Sequence, residues 1–288
     1  MDGERATSGG PRARSLRREL ERHLGLRFQR SLQRGALDPE ALEGYGDLRE
    51  ARGACLKALE SGAWRTRNEG VKLLGLSLHP DGRDLLSGLL ADRTPATLLH
   101  RLLGGDYFHC GFERRNAVSS LALLGDWDGA ITELVTDCMA DPYYEVRTAC
   151  CRWTATALDG RCRIEGGPKA LRKSQRLVTA VCALFEDPRL EVRCAAWRTA
   201  GLLADPTRVL KASRKYLADS RVRIREALLD CFASLVGRYG DDHGVSAEVR
   251  GQMDRMLLTS VAMRPNYPVR QRYRQVMHLL KGEPCSTC

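Results

Sequence analysis

The sequence predicts an all-α solenoid of about six two-helix units followed by a flexible C-terminal tail, and three observations carry that prediction. First, a pattern of Asp-Pro, Val-Arg five residues after the Asp and Ala two residues after the Arg recurs as Asp141-Pro142…Val146-Arg147…Ala149 and Asp187-Pro188…Val192-Arg193…Ala195. Variants are Asp219-Ser220…Ile224-Arg225…Ala227, Arg115…Ala117, Ser61…Thr66-Arg67 and Arg264-Pro265…Val269-Arg270. Second, the aligned Arg residues (67, 115, 147, 193, 225, 270) lie 48, 32, 46, 32 and 45 residues apart, around the ~40-residue period of a two-helix repeat. Third, aromatics make up only 6% and strings of alternating β-branched residues are missing, which argues against a β-sandwich or barrel.

Residues 1–14 (MDGERATSGGPRAR) lack apolar content and are expected to be disordered. In 15–47, Leu16, Leu20, Leu24, Phe28 and Leu32 recur every fourth residue among arginines. That spacing predicts an amphipathic helix capping the array. A mitochondrial leader is the alternative there, against which Asp2, Glu4, Glu19 and Glu21 argue. The array itself is expected over 48–281. In each copy Asp is expected to cap the unit's second helix, with Pro in its first turn. Apolar positions three, four, seven and eleven after the Val (Ala149, Cys150, Trp153 and Ala157; Ala227, Leu228, Cys231 and Leu235) then form the buried stripe. Stretches 159–168 and 237–247 read as longer loops open to partners. The tail occupies 282–288.

The chain is 288 residues long with 43% hydrophobic and 28% charged residues, enough to bury a core. No apolar run nears the roughly 18 residues of a membrane span, and no apolar leader segment follows Met1. Eleven cysteines, several inside apolar helical segments (Cys138, Cys150, Cys151, Cys182, Cys194, Cys231), suit buried reduced thiols. The net charge is +10, of which residues 1–34 supply nine Arg against four acids. Two basic clusters remain: Arg161, Arg163, Lys169, Arg172, Lys173 and Arg176, then Arg208, Lys211, Arg214, Lys215, Arg221, Arg223 and Arg225. They read as solvated helix faces, or as a surface for acidic partners or nucleic acid.

The repeat resembles the HEAT family over roughly residues 48–281. The resemblance implies a structural ladder between neighbouring units made by Asp141, Asp187 and Asp219 with Arg147, Arg193 and Arg225. Catalytic motifs are sparse. Phosphate-loop and dinucleotide spacings are missing, there is no HExxH, and none of the six His is followed by Glu, as an iron-binding HEAT enzyme would need. Asp106, His109 and Cys110 fall in an expected loop and form the one candidate for a cysteine enzyme. No enzyme activity and no resident cofactor are expected.

The chain's last residues are Glu283-Pro284-Cys285-Ser286-Thr287-Cys288. As a prenylation signal this is poor, since Ser and Thr are not aliphatic, and a lone CxxC lacks two zinc ligands. Repeats ending in a short Cys-terminated tail, in a Cys- and Arg-rich chain, resemble the C-terminal part of the BRCA-associated ATM activator family. The resemblance implies a nuclear and cytoplasmic scaffold in DNA-damage signalling, with kinases, adaptors and the Integrator zinc-dependent RNA nuclease as partners. Thiolate is a soft zinc ligand, and Cys288 adds a terminal carboxylate. Cys288, then Cys285, are therefore expected to reach a partner's zinc site in trans, with Pro284, Ser286 and Thr287 making partner contacts. Lys211 and Lys215 are the expected contacts on the array. Burial of Trp153 in a repeat core predicts that Trp153→Ala costs about 3–5 kcal/mol, read as a lowered melting temperature.

Overall fold

A computed structural model describes residues 48–61, 64–76, 81–91, 106–124, 126–159, 163–164, 167–240, 242–260 and 267–282. The expected N-terminal helix and the tail residues 283–288 lie outside them. The chain is an all-α repeat fold dividing into two compact units, Met1–Glu165 and Gly166–Cys288. No helix among the described residues is long and apolar enough to cross a membrane.

The first unit holds α1 (Leu48–Leu59), α2 (Trp64–Leu76), α3 (Gly82–Ala91), α4 (Asp106–Leu124), α5 (Gly129–Cys138) and α6 (Tyr144–Leu158). They pair as α1/α2, α3/α4 and α5/α6, and the second helices α2, α4 and α6 pack side by side. Small and polar residues bring α2 and α4 together. Asn116 Nδ2 donates to Asn68 Oδ1 at 2.6 Å, and Ser120 Oγ donates to the Val71 carbonyl at 2.9 Å. Both asparagines are buried, so each satisfies a group the other would leave unpaired. Between α4 and α6, Gly111 lies against the Tyr143 ring, 2.5 Å from where a Cβ would sit. Trp127 and Trp153 stack in the core, 2% and 3% exposed.

The expected loop after α6 is partly structured. Arg163–Ile164 (β2) pairs in parallel with Asp126–Trp127 (β1), Asp126 opposite Arg163 and Trp127 opposite Ile164. Two residues of extended chain thereby satisfy backbone groups that a loop leaves to water.

The second unit holds α7 (Pro168–Lys173), α8 (Gln175–Ala183), α9 (Leu190–Leu203), α10 (Pro206–Ser213), α11 (Val222–Tyr239), α12 (His243–Ser260) and α13 (Tyr267–Leu280). Here α8 packs on α9 and α12 on α13, α10 meets α9 and α12, and α9, α11 and α13 pack side by side. Before α7, Gly167 adopts φ +71°, a left-handed turn that glycine makes without strain, and Pro168 opens the helix. Ser174 caps α8, accepting from the Leu177 amide at 3.3 Å. Asp205 caps α10, and Asp242 accepts from the Gly244 and Val245 amides as α12 begins. The expected loop 237–247 is thus mostly helix. Gly237 stays helical and exposed on α11, and Asp242 starts the next helix at once.

The repeat Asp is not the helix cap that the sequence suggests. The N-caps of α6, α9 and α11 are Tyr143, Arg189 and Arg221, two residues later. Asp141, Asp187 and Asp219 instead accept from those residues' amides at 2.8, 2.8 and 2.9 Å, a turn in which a carboxylate replaces a backbone acceptor. Pro142 and Pro188 sit inside that turn, before the helix. The repeat Arg then closes the corner. Arg147 donates to the Asp141 carbonyl at 2.6 Å and Arg193 to the Asp187 carbonyl at 2.7 Å. The degenerate copy does the same, Arg67 donating to the Ser61 carbonyl at 3.0 Å.

Two further guanidiniums satisfy the C-terminal carbonyls of α9. Arg172 donates to Leu202 at 3.1 Å, and Arg238 donates to Gly201 at 2.7 Å and to Ala204 at 3.2 Å. Aromatics fill the corner between α8 and α9. Phe185 stacks on Trp197 at 3.7 Å between centroids, Tyr216 meets Trp197 edge-on, and the Tyr216 hydroxyl donates to the Phe185 carbonyl at 3.1 Å.

At Gly201 the helices α9 and α11 touch backbone to backbone, since a Cβ there would fall 2.6 Å from the Cys231 carbonyl oxygen. Gly201→Ala is therefore expected to cost about 1–3 kcal/mol. Gly88, inside α3 with open space around it, should show the opposite sign, Gly88→Ala gaining about 0.5–1 kcal/mol. Urea unfolding of the two variants beside the parent checks both signs.

Candidate partner-binding site

Side chains along the second helices of the second unit build a charged row. Arg198 Nε on α9 donates to Asp230 Oδ2 on α11 at 2.7 Å, and Arg272 Nη1 on α13 donates to Asp230 Oδ1 at 2.7 Å. Arg272 also lies 3.8 Å from Glu226. One carboxylate thus bridges three successive helices, partly exposed, with Arg223 and Glu191 paired at 3.3 Å at the helix starts. Charge-assisted bonds of this kind fix the spacing of neighbouring repeats and leave an alternating row of cations and anions at the solvent edge. Arg198 and Asp230 each follow a repeat Arg by five residues, a periodicity legible in the sequence.

The ladder that the HEAT resemblance implies takes another form. Arg147 and Arg193 donate to the backbone of their own units. The Asp141 carboxylate is fully buried and is met from the preceding repeat by Arg114, at 2.7 and 3.2 Å. Arg115, which aligns with the repeat Arg, pairs with Glu145 instead. Adjacent helical residues point about 100° apart, so only one of these two arginines can face Asp141. Asp219 is held below its ordinary value chiefly by Arg221, with a smaller contribution from Arg193 of the preceding repeat. Arg225 is buried on α11.

Of the expected contacts on the array, Lys211 is exposed in the last turn of α10. Lys215 is exposed but engaged, forming an ion pair with Glu186 and lying over the Tyr216 ring. Lys215 holds the Glu186 carboxyl below its ordinary value. Pro284, Cys285, Ser286, Thr287 and Cys288 lie outside the described residues. The helix before them ends as expected, with Gly282 at φ +69° and its amide donating to the Leu279 carbonyl.

Asp106, His109 and Cys110 do not form a loop. They open α4, whose first residue, Asp106, is an acid of the kind that favours a helix N-terminus. Their side chains lie outside the described residues. Burial pushes the Cys150, Cys182, Cys194 and Cys231 thiols upward, which makes these four poor nucleophiles. Among the described residues no three His, Cys, Asp or Glu side chains are grouped to hold a metal ion.

The first helices are tied by a second polar cluster. Buried Gln252 on α12 accepts from Ser213 Oγ at 2.6 Å and donates to the Leu210 carbonyl at 2.7 Å and to Glu248 at 2.9 Å. Gln252, and then Arg214, hold Glu248 below the ordinary glutamate value of 4.5. A carboxylate so depressed stabilises the fold above 4.5, and the stabilisation fades as pH falls through its lower folded value. Glu248→Gln should therefore flatten the acid fall of the melting temperature below about pH 4.5 and leave the curve at pH 7 to 8 parallel to the parent's. Differential scanning fluorimetry across pH 3 to 8 reads this.

The chain matches no protein-family model and no curated protein. It is similar in structure to an engineered protein solved by a structural-genomics consortium, with TM-score 0.54 and 12% identity over 83% of this chain and 100% of that one. It is also similar to a designed armadillo repeat protein, with TM-score 0.52 and 12% identity over 81% of this chain and 100% of that one. A second engineered protein from that consortium matches at TM-score 0.52 and 14% identity, over 81% and 97%. At such identities the likeness establishes the fold alone: an all-α helical-repeat array.

Proposed function

We propose that the chain is a non-catalytic scaffold that binds protein partners. The observation that supports this reading is the Arg198–Asp230–Arg272 row, which holds three successive repeats in register. A surface whose groups recur at fixed spacing on stacked helices suits extended partner segments, and binding there needs no reacting group.

The finer reading rests on the resemblance to the BRCA-associated ATM activator family. On that reading the scaffold serves in nucleus and cytoplasm, in DNA-damage signalling and in assembly of the Integrator zinc-dependent RNA nuclease. The tail then enters the nuclease's zinc site. The Cys288 thiolate takes the open coordination position, its carboxylate adds an oxygen, Cys285 stands second, and Pro284 limits the tail's freedom. The zinc belongs to the partner, and this chain supplies a blocking ligand. Removing Cys288, or adding one residue after it, should weaken capture of such a nuclease and relieve its inhibition without moving the array's melting curve. Undiminished affinity and inhibition in both variants would defeat the reading.

A further inference from the structure

Basic residues from two stretches far apart in sequence lie on α7, α8 and α10, around the end of α9 in the second unit. Lys169 and Lys173 are exposed on α7, Arg176 in the first turn of α8, and Arg208 and Lys211 on α10. The Arg172 bond to the Leu202 carbonyl brings α7 to the end of α9, three residues before Asp205 caps α10. Arg208 in turn lies near enough to α8 to oppose the upward push of burial on the Cys182 thiol.

The charge of this face is unbalanced. No acidic residue occurs from 166 to 185. Asp205, the acid beside α10, is occupied in accepting the Thr207 and Arg208 amides. Lys169, Lys173, Arg208 and Lys211 have no acidic partner among the described residues. Of the rest of the second cluster, Arg214 pairs with Glu248, Lys215 with Glu186, Arg221 with Asp219 and Arg223 with Glu191, and Arg225 is buried.

The makeup of the face selects among polyanions. A protein partner at this face would lack the apolar or aromatic anchor of an interface core, since the large hydrophobics exposed among the described residues are Leu56 and Leu279, on α1 and α13. Phosphate-backbone binding needs no such anchor, since counterion release supplies the free energy. Single strands need aromatic platforms, and α7, α8 and α10 contain no aromatic residue. The same helices carry exposed Gln175, Thr179 and Thr207, groups suited to the 2′-hydroxyls of an A-form minor groove. We propose that the face formed by Lys169, Lys173, Arg208 and Lys211 binds the backbone of double-stranded RNA without reading its sequence.

The inference does not depend on the tail reading, because its test contains no partner protein. Fluorescence anisotropy with a labelled 20-bp RNA duplex at 50 to 200 mM salt compares the full chain, Lys173→Glu/Lys211→Glu, and the charge-matched control Lys57→Glu/Lys281→Glu. The same titrations use a DNA duplex of equal length and a 20-residue polyglutamate. Four phosphate contacts give a log–log salt slope of up to about −3 to −4. The Lys173/Lys211 variant should lose roughly tenfold or more in affinity and about 2 from the slope, the control much less, with both melting as the parent does. Equal losses in both variants would reduce the effect to net charge and overturn the proposal. No binding at 50 mM salt, equal affinity for DNA, or polyglutamate affinity matching that of RNA would overturn it as well.

Discussion

The second unit and the last repeat of the first are built on the corner by which each chain segment enters a second helix. An Asp carboxylate accepts the amide two residues on, as at Asp141, Asp187 and Asp219. In two of these corners the Arg six residues along reaches back to the carbonyl of the same Asp. The two bonds satisfy backbone groups at a turn too tight for regular pairing. They also fix the direction in which the helix leaves the turn. The helices α6, α9 and α11 depart from matching corners, which favours the side-by-side packing of α9 and α11. The Ser61 copy keeps the Arg bond without the Asp, so the guanidinium-to-carbonyl bond persists where the motif degenerates.

Once directed, neighbouring second helices are joined by contacts that differ from pair to pair. α2 and α4 use a buried Asn–Asn bond, α4 and α6 the Arg114–Asp141 pair, and α9 and α11 the bare backbone at Gly201. A buried pair such as Arg114–Asp141 gives little net stability but penalises any other partner heavily. Such contacts set which repeat follows which. The apolar core, with Trp127 on Trp153 and Phe185 on Trp197, supplies most of the free energy and little of the ordering.

The repeat and its period were legible because helices impose one periodicity on every copy. Trp153 is core, as its position suggested, and so are Trp127 and Trp197. The role of the Asp was not legible. An Asp-Pro before a helix serves equally as cap or as turn two residues earlier, and only backbone geometry separates the two. Arg114 and Arg115 are neighbours in sequence, so which one faces Asp141 depends on helix phase. Glycines misled over 237–247, since Gly237 meets open space and costs its helix little. In the candidate site, Arg198 and Asp230 keep a common offset, but Arg272 follows its repeat Arg by two residues rather than five. The terminal helix completes the row from a different turn.

The two guanidiniums on the end of α9 bear on how the second unit comes apart. Repeat arrays are commonly treated as zippers, each unit exchanging free energy with its immediate neighbours and fraying first at the ends. Arg172 arrives from α7, before the repeat, and Arg238 from α11, in the repeat after it. Opening the repeat of α8 and α9 strands both side chains, and Arg238 is already desolvated enough for its proton affinity to be lowered. That shared clasp gives α7 the character of a latch rather than a frayed end. It makes α7 through α11 one cooperative block, whose amides exchange together.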